Sequence, residues 1–298
     1  MVSVGRILEG AFGLIRDRFA AVAVWAGVSL AANVALLLTI RPMMAGLMGS
    51  ATSGGSAGLL GMMLPIYGMN FVLLLVGIVL YAAAMRAVLR PQAAGVGFLR
   101  IGMDELRILV LSILFVVAAM VLGTGFAMIF GLITAGAGIG SESIGATIAI
   151  AFFGGLAVFG LFLFLLVRFS LAFPLTLHRR RIVIGEAWTL TKGRFWTLFG
   201  AALVVTLIGF ALTMVVGVFA ASSYFADILA ASGDPDAAAL AAERQIATAG
   251  TLGPMMVVQS VAGSIIGAVW IALSGGSAAT AAKLLLDSEF DDAEQVFG

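Results

Sequence analysis

Apolar and polar residues alternate along this chain in long blocks rather than residue by residue. Six apolar runs lie near Phe19–Ile40, Met62–Ala84, Ile108–Leu132, Ile144–Val167, Phe195–Val218 and Leu252–Leu273. The hydrocarbon core of a bilayer is about 30 Å thick and takes about 20 helical residues to cross. Every run meets that length, and none shows the alternating ten-residue segments of a membrane barrel. The pattern predicts an all-α integral membrane protein, a six-transmembrane-helix bundle in which residues 1–298 form a single membrane domain.

The polar gaps carry a second pattern. In residues 1–18, Val4, Ile7, Leu8, Ala11, Leu14 and Ile15 recur at helical spacing, with Arg6, Glu9, Arg16 and Asp17 on other faces. Leu99, Met103 and Leu106 form a shorter stripe before the third run, where Arg100 is one turn from Asp104 and spaced to pair with it. Ile184, Ala187 and Trp188 do the same before the fifth. Each stripe predicts a short amphipathic helix lying in the membrane interface. Two of these lead-ins share a spelling: Ala11-Phe12-x-Leu14-x-Arg16-x-Arg18-Phe19 and Ala187-Trp188-x-Leu190-x-Lys192-x-Arg194-Phe195. The match suggests three hairpin units, each a lead-in helix followed by two spans; convergence under one physical demand is the alternative. After the fourth run, apolar character continues past Arg168 to Leu177. That segment is expected to lie along the interface, with Pro174 breaking or kinking the helix.

The other gaps look plainer. Residues 41–61 are rich in Gly, Ser and Met and are expected to form a flexible loop, and 134–143 a short glycine-rich one. In the external loop 221–250, Asp234 and Pro235 fit the cap and first turn of a short acidic helix running to Arg244. Residues 274–298 read as a tail with a mobile acidic end.

Charge orients the spans. Of 16 Lys and Arg residues, 14 fall in alternate gaps, and only Arg41 and Arg244 fall in the others. By the positive-inside rule the N- and C-termini lie in the cytoplasm. Tyr81, Phe195 and Trp196 at inner span ends and Tyr224 beyond an outer one fit aromatic belts. The first run is 22 residues long and follows an amphipathic stretch, so it reads as a permanent anchor rather than a cleaved signal. With 62% hydrophobic and 10% charged residues, the chain lies far from the soluble norm of about a quarter charged. Its basic residues are already accounted for by topology, so nucleic acid is not an expected partner. The expected partner is the bilayer itself, with its anionic inner-leaflet lipids.

Few residues offer chemistry. The chain has no cysteine, which excludes disulfides and thiolate metal sites. His178 is the one histidine, and no Asp, Glu or Lys lies within the six runs. No catalytic motif, metal set or nucleotide fingerprint is present, so no catalytic residue, metal or cofactor is assigned. Asn33, Asn70, Thr124 and Gln259 lie at a common depth, about 11–12 Å below the outer boundary. They form a candidate intramembrane polar layer, either interhelical glue or the floor of an outward cavity, and at least two are expected to face each other. Gly209, Thr213 and Gly217, and Gly263 and Gly267 beside the parallel stripe Ser260, Ser264, Ala268 and Ala272, fit helix packing. A homodimer seam, or a seam with another membrane protein, is the alternative use. Arg168, His178, Arg179, Arg180, Arg181, Lys192 and Arg194 are candidate contacts for lipid head groups or other anions. Glu186, Asp104 and Glu105 are placed to neutralise some of them.

The stretch Arg168-Phe-Ser-Leu-Ala-Phe-Pro174, followed by Glu186-Ala-Trp188-Thr-Leu-Thr-Lys192-Gly-Arg194-Phe-Trp196, resembles a poorly characterised bacterial family of six-span membrane proteins. That family is related to the membrane domain of some glycerophosphoryl diester phosphodiesterases. The segment from Gly5 to Phe19 is similar to the family's opening. The resemblance implies a bacterial inner-membrane helical bundle and no activity, because the relatives' phosphodiesterase chemistry belongs to a separate soluble barrel. Three readings follow: a non-enzymatic structural or envelope-associated protein, a transporter or permease subunit using the polar layer, and a phospholipid-handling protein at the inner leaflet.

Overall fold

A computed structural model describes residues 2–51, 57–92, 95–136, 144–230, 240 and 254–297. The fold is all-α, and six helices are long and apolar enough to cross a membrane. In chain order the helices are α1 (Val4–Asp17), α2 (Phe19–Ala51), α3 (Ala57–Leu89), α4 (Met103–Gly136), α5 (Ile144–Phe169), α6 (Ala172–Arg179), α7 (Gly185–Leu190), α8 (Phe195–Ala230) and α9 (Pro254–Phe297). A single 3-10 turn, Val96–Phe98, separates α3 from α4. The spans keep large apolar side chains such as Phe71, Leu132, Phe153 and Val215 exposed. Exposed apolar surface on this scale needs lipid as its solvent. The protein is a multi-pass membrane protein.

The chain divides into two compact units. Unit 1 comprises Met1–Ile7, Ile101–Ala202 and Ala278–Gly298; unit 2 comprises Leu8–Arg100 and Leu203–Ser277. In unit 1, α4 packs on α5 and α6, and α7 on α5 and α6. The core there gathers Leu111, Leu171, Leu175, Leu190, Leu198 and Leu285. In unit 2, α2 packs on α3, and both meet the 3-10 turn. Its core is built around Trp25, Leu80, Ala84, Phe98 and Ala272. Alanine and glycine line this second core because, in lipid, close backbone approach rather than the hydrophobic effect holds helices together. At Gly275 an added Cβ would stand 2.8 Å from the Ala84 Cβ. At Gly276 it would stand 3.1 Å from Leu14.

Several expectations change. The α1 stripe is buried against protein at Ile7, Ala11 and Leu14. The stripe before the third span forms no separate helix: α4 starts at Met103 and runs through without a break. Arg100 precedes the helix, and Asp104 pairs with Arg107 at 2.9 Å instead. The α5 helix does stop near Arg168, at Ser170–Leu171. The cause is Pro174, which has no N–H for the Ser170 carbonyl and whose ring crowds that carbonyl. Proline is tolerated inside α6 because its own position is in the first turn, where N–H groups lack helical partners. In the segment after the break, Leu171, Ala172 and Leu175 enter the unit 1 core.

Helix continues into two segments expected to be irregular. The α2 and α3 helices extend to Ala51 and from Ala57, so most of the predicted loop 41–61 is helical. The tail beyond 274 continues α9 to Phe297, and Ala281, Ala282, Leu285 and Leu286 are buried. Apolar residues at helical spacing continue there beneath the acidic ones, which explains why the tail packs. The glycine-rich 134–143 loop lies mostly outside the described residues, as do Asp234, Pro235 and Arg244 of the predicted external helix.

The two related lead-ins fold alike. Ala11 and Leu14, and their counterparts Ala187 and Leu190, are buried; Phe12 and Arg16, and their counterparts Trp188 and Lys192, are exposed. The same spelling produces the same burial pattern in each. The second hairpin, α4–α5, has no such lead-in helix.

Replacing Gly275 with valine should destabilise the fold by about 1–3 kcal/mol, since the new atoms meet a packed backbone rather than a flexible side chain. Gly263→Ala, with no described neighbour within 4 Å of its Cβ, should stay within about 0.5 kcal/mol of the parent. Thermal unfolding in detergent, followed by helical circular dichroism, compares the two.

Candidate functional site

The polar chemistry of unit 1 concentrates where α5 ends and α6 and α7 turn back. Thr176, buried at the middle of α6, accepts a hydrogen bond from the Val183 amide at 3.3 Å and so ties the turn after α6 to the helix. The turn itself is basic. Arg180 holds the left-handed C-cap of α6 with φ 54°, a position that favours glycine. After α7, Gly193 adopts φ 79°, a left-handed conformation glycine takes at no steric cost, and α8 starts two residues later.

The seven cations singled out by the sequence separate into distinct roles here. Arg179 donates from Nε and Nη2 to Glu186 Oε1 at 3.1 and 2.8 Å. That pair is partly exposed, so screening limits its worth to about 0–1 kcal/mol. Arg194 donates to the Ser288 hydroxyl on α9 at 3.1 Å. His178, Arg180, Arg181 and Lys192 are exposed. Arg168 is half-buried and differs from all of them.

Its guanidinium lies against two aromatic faces, 4.8 Å from the Trp188 ring centroid and 5.4 Å from that of Phe164. Nη1 makes two long contacts of 3.4 Å, to the Trp188 carbonyl and the Thr191 hydroxyl. Thr191 Oγ1 in turn donates back to helical and α5 carbonyls, including Ala187 O at 2.9 Å. Arg168 Nε is buried with no hydrogen-bond partner. Around this centre the rings of Phe169, Trp188, Phe164, Phe195, Trp196 and Phe199 form a continuous chain of contacts at 5.3–6.0 Å. Cation–π attraction, about 2 kcal/mol when desolvated, holds Arg168 there, and no carboxylate among the described residues pairs with it.

In unit 2 the polar layer is partly realised. Asn33 Nδ2 donates to Ser264 Oγ at 3.2 Å, joining α2 to α9. Ser264 is buried, and its hydroxyl donates a hydrogen bond to the Ser260 carbonyl at 2.7 Å. The partner is thus a serine assigned to the packing stripe, not another member of the layer. Asn70 is exposed and Gln259 half-buried; Thr124, on α4 of unit 1, is exposed.

The small-residue stripes are also redistributed. Ser264, Ala268 and Ala272 form the buried seam, whereas Gly263 and Gly217 are exposed with no described neighbour within 4 Å of an added Cβ. Gly267, too, has no such neighbour. Gly209 is buried under the Trp270 ring, which occupies the space a side chain would need. Thr213 is exposed and donates to the Gly209 carbonyl of its own helix. A helix repeats every 3.6 residues, so of two adjacent stripes only one faces a given partner.

Sequence reasoning passed over a second polar centre. Trp25, in α2, is fully buried and donates from Nε1 to the Gly97 carbonyl at 2.7 Å. Arg86, in α3, is 2% exposed and donates from Nη1 to the adjacent Phe98 carbonyl at 2.6 Å. The loop presents both carbonyls because Gly97 and Phe98 each have positive φ, 61° and 59°. Arg18 lies over the Phe98 ring at 5.4 Å and closes the clasp. The cleft beside it, lined by Asp17, Arg18, Gln92 and Gly95, carries both charges and so favours neither sign of ion. The available signal was Trp25 itself, several residues inside a span and away from either belt, where its N–H needs a partner.

Among the described residues no cluster of metal-ligating side chains occurs. Trp25→Phe should cost about 1 kcal/mol by leaving the partly buried Gly97 carbonyl without its donor. Arg86→Met should cost more, because it removes a charged donor from a site closed to water. Unfolding midpoints of the two variants in detergent check the order. Comparison of the chain with family models, with curated proteins and with solved structures gives no match in any of the three.

Proposed function

We propose that this chain is a non-enzymatic structural or envelope-associated protein of the bacterial inner membrane, with its N- and C-termini in the cytoplasm. The observation that carries the reading is the Asn33–Ser264 hydrogen bond. It spends an intramembrane amide on holding α2 to α9, which is the work of helix glue rather than of a solute path. The clasp of Trp25 and Arg86 on the Gly97–Phe98 loop is likewise a holding device, with its donors satisfied by backbone. The charge asymmetry of the gaps supports the orientation. The family resemblance around Arg168 and Trp188 supports the inner membrane and a bundle that needs no catalytic domain of its own.

The absence of native cysteine makes the test direct. Single-cysteine variants Asn70→Cys and Gln259→Cys are placed in liposomes and exposed to a membrane-impermeant maleimide. Both should resist labelling, while Ser3→Cys in intact cells should label only after the inner membrane is opened. Rapid labelling at Gln259, slowed by a transported solute, would replace this reading with that of a permease. A double-mutant cycle of Asn33→Ala and Ser264→Ala should give a coupling of about 0.6 kcal/mol, and at most about 1.7 kcal/mol. Unfolding in detergent micelles measures it.

A further inference from the structure

We propose that Arg168 forms a binding site for a phosphate oxyanion, supplied by an anionic glycerophospholipid at the membrane surface where α5 ends. The argument begins with the donors. A guanidinium offers five N–H groups in a rigid fork, and its Nε and Nη2 edge matches two oxygens of a phosphate or carboxylate. In Arg168 the protein engages only Nη1, at 3.4 Å to Trp188 O and 3.4 Å to Thr191 Oγ1. Nε is buried without an acceptor, and Nη2 has no hydrogen bond among the described residues. Nε is closed off by the protein, so Nη2, beside the loosely held Nη1, is the donor the fold leaves open to an oxyanion.

Charge points the same way. Arg179 has Glu186 and Arg107 has Asp104, but no described carboxylate pairs with Arg168. The rings of Trp188 and Phe164 flank the guanidinium without neutralising it. An arginine held between two rings in a half-buried, largely apolar setting is a preorganised anion receptor, because its position is set before the ligand arrives.

The ligand's tails are chosen by the helix below. Leu161 and Phe164 precede Arg168 at spacings of seven and four residues, on one face of α5, and both are exposed. An acyl chain lying along that face brings its phosphate to the level of the guanidinium. A free phosphate ion would use the fork but gain nothing from the apolar track. The site goes beyond the structural role proposed above and does not depend on it.

Native mass spectrometry of the intact chain, released from micelles doped with phosphatidylglycerol or phosphatidylcholine, tests the proposal. The parent should retain phosphatidylglycerol over phosphatidylcholine. Arg168→Lys should lower that retention at least about tenfold, since an ammonium keeps the charge but loses the fork and the ring stacking. Arg180→Gln/Arg181→Gln, which removes two exposed charges, should lower it far less. Equal retention by the parent and Arg168→Lys, or a larger loss in the double variant, would overturn the site in favour of diffuse surface attraction. Competition by millimolar inorganic phosphate would keep the oxyanion site but assign it to a soluble ligand; resistance to that competition supports the lipid. Should Arg168→Lys fail to fold, quenching of tryptophan emission by brominated lipids gives the same answer. Brominated phosphatidylglycerol should quench the parent more than brominated phosphatidylcholine, and Trp188→Phe should abolish the difference. Equal quenching by the two lipids overturns the proposal.

Discussion

A polar group that leaves water for lipid must find its partner inside the protein, and the layout of this molecule follows from that constraint. The helices satisfy their own backbones. The side chains that cannot satisfy themselves are paired across elements: Trp25 and Arg86 with two consecutive loop carbonyls, Asn33 with Ser264, Thr176 with the Val183 amide. Each bond ties one element to another where water is partly or wholly excluded, and the cost of breaking it is raised by the low dielectric around it.

Arg86 and Arg168 show two outcomes of the same demand. Arg86 is enclosed, and the 95–98 loop takes up positive φ at three of its four residues to bring a carbonyl to it. That strained backbone is stable only because two donors and the Phe98 ring contacts hold it. Arg168 instead stops where the span ends, flanked by Phe164 and Trp188, and its charge is stabilised by ring faces. One arginine organises a loop, and the other packs between aromatic rings at the end of α5.

The two lead-in helices connect sequence pattern to packing in a way that extends beyond hydropathy. Ala11 and Leu14, like Ala187 and Leu190, go inward, and the aromatic residue between them, Phe12 or Trp188, stays at the surface. In the second lead-in that aromatic is the one that stacks on Arg168. An element that the membrane interface alone could have shaped thus also carries part of the candidate site.

The sequence by itself determined the all-α class, the presence of six spans though not where α2 and α9 end, the break after Arg168 and the helical lead-ins at α1 and α7. All are consequences of local rules: apolar run length against bilayer thickness, periodicity, and the missing proline N–H. It also marked Arg168, Trp188 and Glu186 as residues of interest, without saying which cation the carboxylate would take. Tertiary structure alone decided that Glu186 pairs with Arg179, that Asn33 finds Ser264, and that Ala268 rather than Gly267 lies in the seam. It also decided that Trp25 and Arg86 converge on one loop. These depend on the rotation of each helix about its axis and on backbone turns at positive φ. An apolar run has little preferred face, so periodicity gives no rotation, and the partners are set only when the helices pack.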